Sequence, residues 1–171
     1  MRDNQFQTLE LNQASPEKVP NPNQVFIDII KTQESIENFR VNYFVNPKNT
    51  TNLFKALNIF KSPTFLEQQR PPRDIDDLVD LEAELGGELF SNSLPDVSDK
   101  KFFYSKDSWY LHVGDKNYSE TTRFTVRENN ATKVTENGLK EAGMSPEEIS
   151  NLSKAVKLYQ QKITEEIYAS S

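Results

Sequence analysis

The sequence predicts an α+β protein, and three observations carry that prediction. Between residues 100 and 136 apolar and polar side chains alternate in short runs separated by turn residues, the pattern of antiparallel strands. Ser145-Pro146-Glu147-Glu148 then opens a run in which apolar residues recur every three or four positions, the pattern of a helix. Upstream, residues 23–40, 51–61 and 74–89 also show helical spacing, and prolines separate them. The expected architecture is a three- to four-stranded antiparallel sheet packed on a long C-terminal helix and an acidic preceding helix, with two extra N-terminal helices.

Taken in order, residues 1–20 are polar, hold Pro16 and Pro20, and read as a flexible arm with a short docking segment around Phe6, Leu9 and Leu11. Residues 21–62 read as a helical pair. In the first helix Val25, Phe26, Ile29, Ile30, Ile36 and Phe39 share helical spacing, Asn21 or Asn23 caps the start, and the break is expected by Pro47. In the second, Leu53, Phe54, Leu57 and Phe60 share one face. Residues 63–73, with Pro63, Pro71 and Pro72, read as a linker, and residues 74–171 as the α+β domain.

Asp74 opens the acidic helix, with Asp76 and Asp77 in the first turn where the helix dipole favours negative charge. From Asp74 to Asp99 there are nine acids and no Lys or Arg, which reads as a solvated face. Gly86-Gly87 either ends this helix or permits close packing. In the sheet, Lys106-Asp107 is a turn between two strands. A loop over 114–119 sets Trp109 opposite Phe124 and Leu111 opposite Thr122. Trp109, Leu111, Val113, Phe124 and Val126 then share one face, and Tyr110, His112, Thr121, Arg123, Thr125 and Arg127 the other. A three-residue turn with Asn129 or Asn130 in the left-handed region would bring Val134 onto the apolar face beside Val126. In the last helix Ile149, Leu152, Val156, Tyr159, Ile163 and Ile167 form a stripe that faces the protein's own sheet, residues 23–40 or a second subunit.

The C-terminal half also resembles a known family. The pieces are Gly86-Gly87-Glu88-Leu89-Phe90, Phe102-Phe103, Trp109 to His112, Thr121 to Val126, and Ala155 to Tyr159 running on to Tyr168. In that order they are similar to a family of short, uncharacterised proteins from bacteria of the candidate-phyla radiation. The likeness spans about residues 75–169 and departs at Ser91, where the family pattern has Gly, and at Leu111, where it has a second Trp. It implies an α+β fold and an origin, and it brings no activity. Trp109, His112 and Arg123 all fall on its pattern.

Composition removes several chemistries. The 171-residue chain has no cysteine, so disulfides, thiol catalysis and Cys-ligated metals are excluded. One histidine excludes a paired-His site within the chain. The net charge of −6 disfavours broad binding to phosphate backbones. The first 24 residues lack the apolar stretch of a secretory signal, and no run approaches the roughly 18 apolar residues of a membrane span. A cytoplasmic location is the default expectation.

The candidate binding residues are Tyr110, His112, Arg123 and Arg127, which make a basic, partly aromatic sheet face. Lys100 to Lys133 holds seven Lys/Arg against four Asp/Glu, a modest excess. A single-strand nucleic-acid sheet needs two or three exposed aromatics, and the alternation places only Tyr110 on this face. His112 has no evident orienting carboxylate or nucleophile, so no catalytic residue is assigned. The acid pairs Glu82/Glu84 and Glu165/Glu166 read as solvated helix faces, because neighbours one or two apart on a helix diverge. No cofactor or metal is implied. The expected function is non-enzymatic protein binding, as an adaptor or chaperone-like module. The partner is another protein, with a homodimer through the C-terminal helix as one form of it. The alternatives are a small enzyme or ligand-binding protein using Tyr110, His112 and Arg123, and a weak single-strand nucleic-acid binder.

Overall fold

The computed structural model describes residues 21–45, 72–135 and 140–169. The arm, the helix expected over 51–61 and nearly all of the linker lie outside them. The described elements run α1 (Pro22–Val45), α2 (Ile75–Glu88), β1 (Asp99–Ser105), β2 (Ser108–Gly114), β3 (Ser119–Arg127), β4 (Asn130–Thr135), β5 (Ala142–Gly143) and α3 (Pro146–Ile163), followed by a π-helical turn over Thr164–Tyr168. The fold is α+β, with a five-stranded antiparallel sheet in the order β1-β2-β3-β4-β5.

Local chemistry sets the helix starts. Asn21 Oδ1 accepts the Asn23 amide ahead of α1. Asp74 Oδ1 accepts the Asp77 amide at the head of α2. At α3 the Ser145 and Glu148 side chains cap each other's backbone amides, the reciprocal box that the sequence spells out. α1 runs on through Tyr43 to Val45, five residues past its expected end, because Arg40 and Tyr43 continue the buried spacing of Ile29 and Ile36.

The β1–β2 turn is Lys106-Asp107, with φ of 47° and 62°, the two left-handed positions that a tight hairpin requires. The second hairpin closes at the Gly114–Ser119 pair, so those two residues belong to the strands, and the expected parity holds: Trp109 faces Phe124 and Leu111 faces Thr122. Trp109, Leu111, Val113, Phe124 and Val126 are buried in one core with Leu78, Leu85, Phe90, Leu152, Val156, Tyr159 and Ile163. The α3 stripe is therefore consumed within the chain, and α1 contributes Val25, Ile29, Ile36 and Tyr43 to the same core.

The β3–β4 turn corrects the expectation for Val134. Arg127 pairs with Asn130, so the turn holds two residues, and Lys106 and Asp107 are the only left-handed non-glycine positions among the described residues. With an even turn Ala131 meets Val126, Lys133 meets Phe124 and Val134 meets Arg123. Val134 is thus on the outer face. Lys133, on the inner side, is accommodated because its ammonium reaches Glu148 of α3. Burial opposes ionisation of Glu148, yet Lys133 and the Ser145 amide outweigh it and hold its carboxyl below the ordinary value.

Gly86 and Gly87 do not end α2; they let it lie against β1. A Cβ on Gly86 would sit 1.9 Å from the Phe102 carbonyl oxygen, and one on Gly87 1.8 Å from that of Lys100. These alternate carbonyls point away from β2, on the side where an edge strand leaves its backbone unpaired. The next in the series, Tyr104 O, accepts a hydrogen bond from Arg40 Nη2 at 2.7 Å. Two glycines and one arginine thus cover the edge of β1.

Candidate functional site

β2 and β3 are interior strands, so their backbone groups are engaged on both sides and only side chains face outward. One row crosses four strands: Phe103, Tyr110, Arg123 and Val134. Phe103 and Tyr110 stack with centroids 5.2 Å apart and planes 13° from parallel. Arg123 is exposed beside Tyr110, and Arg127 is exposed four residues further along β3. Among the described residues neither arginine has an acidic partner. By contrast Arg40, Arg73, Lys101, Lys133 and Lys162 are all in ion pairs.

The neighbouring row is Lys101, His112 and Thr121. His112 Nδ1 lies 2.8 Å from Thr121 Oγ1, and its Nε2 lies 3.4 Å from Asp99 Oδ2. Carboxylate, imidazole and hydroxyl are therefore in sequence, as in a nucleophilic triad. Among the described residues the arrangement has no donor aimed at a developing oxyanion, because the β2 amides around it are held in the sheet ladder. Both ring nitrogens are occupied by strand neighbours, so the three side chains tie β1, β2 and β3 together. On the other flank Ser108 Oγ and Thr125 Oγ1 are 3.0 Å apart, a second cross-strand tie.

A different polar group lies in the core. Glu82 is fully buried, which corrects its reading as a solvated acid. Arg40 Nη2 donates to its Oε2 at 2.5 Å, and Arg40 Nε lies 3.2 Å from both oxygens. The Tyr159 hydroxyl donates to Oε2 at 2.6 Å and the Tyr168 hydroxyl to Oε1 at 2.5 Å. One carboxylate thus joins α1, α2, α3 and the π-helical turn, and through Arg40 it reaches β1. Burial works against the Arg40 charge, but the hydrogen bonds and charge of Glu82 more than offset it and raise its pKa above the ordinary arginine value. Burial and the Glu82 charge likewise push both tyrosine hydroxyls up. With Glu82 closed to solvent and both its oxygens filled by donors from Arg40, Tyr159 and Tyr168, this group holds the fold, and the carboxylate is already satisfied by protein.

The structure places Tyr110, His112, Arg123 and Arg127 on one sheet face. It brings Tyr110 and Arg123 together as a cross-strand pair. His112 is turned instead to Thr121 and Asp99, and Arg127 stands at the strand end opposite Asn130. Sequence reasoning missed Phe103, although a signal existed: with Lys106-Asp107 as a two-residue turn, the parity that turns Trp109 inward turns Phe103 outward opposite Tyr110. It also missed Asp99 and the Arg40–Glu82 group, whose members lie 42 residues apart with no local pattern linking them. Among the described residues no group of three or more His, Asp or Glu is arranged to hold a metal ion, and no helix is long and apolar enough to cross a membrane.

Comparison of the chain with models of known protein families, with curated proteins and with solved structures finds no match.

Proposed function

We propose that this chain is a non-enzymatic protein-binding or adaptor module whose contact surface is the outer face of the sheet. The observation that carries the reading is the row of Phe103, Tyr110, Arg123 and Val134, which sets a stacked aromatic pair and an aliphatic side chain around an unpaired arginine. Aromatic residues and Arg are the types enriched where protein surfaces bind one another. The strand ladders from β1 to β4 hold the row in place, so binding would cost little ordering of the backbone. The resemblance of residues 75–169 to the candidate-phyla-radiation family assigns no activity, and it leaves this reading to rest on the face itself.

The test is affinity capture from native lysate with the full chain, beside Tyr110→Ala and Arg123→Glu variants whose melting temperatures match the parent. The expected result is a protein retained by the parent and lost from both variants. Equal recovery by all three would place the contact surface elsewhere. A turnover abolished by His112→Ala in a chain that still folds would replace the proposal with the enzymatic reading.

A further inference from the structure

Resting on that reading, we infer that the outer face recognises an extended acidic peptide segment, with carboxylates four residues apart seated on Arg123 and Arg127. Positions 123 and 127 lie on the same side of β3, so their Cα atoms are separated by about 13 Å along the strand. Side chains four residues apart in an extended peptide have the same spacing and also share one side. In a helix the same two residues would be only about 6 Å apart, so a helical partner does not match the pair. Both groups are arginines, whose planar fork binds a carboxylate through two parallel hydrogen bonds. Both are exposed and meet no carboxylate among the described residues, while the other arginines there, Arg40 and Arg73, hold carboxylates of their own. The Phe103–Tyr110 stack lies directly beside Arg123 and gives an apolar side chain of the same peptide a surface to cover.

The observations favour a peptide over a nucleic acid. The face is flanked by Asp99, at His112, and by Glu141, whose Oε1 accepts the Thr132 hydroxyl at 2.6 Å. A phosphate backbone carries a charge at every nucleotide and would meet both carboxylates, whereas a peptide with two acids places its charges only at the two arginines. Phe103 and Tyr110 also spend one ring face each on the other, which leaves less stacking surface for bases.

The test uses the full-length chain, a fluorescein-labelled decapeptide made of two copies of Glu-Thr-Tyr-Thr-Glu, and matched peptides with Gln or Lys in place of Glu. Anisotropy titrations should show binding of the Glu peptide that weakens as salt is raised, and at least a tenfold loss with the Gln peptide. The Arg123→Glu/Arg127→Glu double variant, checked for an unchanged melting temperature, should lose the Glu peptide and bind the Lys peptide instead. That exchange would not follow from a merely structural effect. Equal binding of the Glu and Gln peptides overturns the acidic specificity and leaves the protein-binding face standing. Binding of oligothymidylate in place of any peptide overturns both. Failure of all these probes overturns the inference, and the capture experiment then decides the broader reading by itself.

Discussion

Replacing Glu82 should destabilise this protein far more than replacing Glu84, two residues along the same helix. Glu82 is fully buried and accepts from Arg40, Tyr159 and Tyr168, whereas the Glu84 side chain is 52% exposed and pairs with Lys101 at 3.1 Å on the surface. Removing one member of a buried ion pair leaves the other charge uncompensated, at about 3–5 kcal/mol. Each tyrosine hydroxyl left without an acceptor adds about 1–3 kcal/mol where the site cannot relax. These losses share one site and do not add in full. The expectation for Glu82→Ala is therefore about 4–6 kcal/mol, or roughly 10–20 °C in Tm for a chain of this size. Glu84→Ala removes a surface pair and should cost under about 1 kcal/mol. The assay is urea denaturation of both variants beside Arg40→Met, Glu82→Leu and the double variant Arg40→Met/Glu82→Leu, the last three closing a cycle with the parent. The double variant orphans no charge, so it should be more stable than Glu82→Ala, with a coupling energy of at least about 2 kcal/mol. Glu82→Ala within about 1 kcal/mol of Glu84→Ala would refute the reasoning, because the Glu82 site would then have to be open to water.

Three further outcomes are expected. Gly86→Ala should lower stability by about 1–3 kcal/mol despite the better helix propensity of Ala, because the new methyl meets the Phe102 carbonyl; Gly143→Ala, with open space around the Cβ, should be neutral in the same melt. Trp109→Ala should cost about 3–5 kcal/mol and Arg123→Ala little, and matching denaturation midpoints would break the sheet register described above. At high pH, Tyr43, Tyr104, Tyr159 and Tyr168, all raised chiefly by burial, should ionise only with unfolding. Since their folded values lie above the unfolded value of about 10, the stability they confer is complete below that pH and falls as the pH rises beyond it. The tyrosinate absorbance of these four, out of six tyrosines in the chain, should therefore rise together with the loss of circular dichroism, and a full six-tyrosinate signal from a folded chain would count against the buried hydroxyls.

The pattern of agreement follows the range of the forces involved. Wherever the deciding interaction joins near neighbours, the residues announce it. Ser145 and Glu148 cap α3 because they are three apart, and the even Lys106-Asp107 turn makes the parity of β1 and β2 a matter of counting. The same counting put Arg123 outside and Trp109 inside, so most of the candidate face was legible. It failed at Val134 because two turn lengths satisfied the local chemistry. The longer one would bury a valine, while the protein buries Ala131 and the stem of Lys133, with Glu148 receiving the charge.

What the sequence alone determined, then, is the three described helices and the strands β1 to β4, though not the short β5, the face each sheet residue takes once a turn length is known, and the absence of thiol and paired-histidine chemistry. Tertiary structure alone decided the fate of Glu82 and the use of Gly86-Gly87. A glutamate in an acidic helix costs least in water, and only the arrival of Arg40, Tyr159 and Tyr168 from distant parts of the chain makes burial tolerable. Adjacent glycines weaken an isolated helix, and only the carbonyls of β1 lying against them show why side chains are missing there. Both outcomes depend on contacts between segments far apart in sequence. Local propensity and periodicity do not encode such contacts, because they record the energy of a residue among its neighbours along the chain and not among those the fold brings to it.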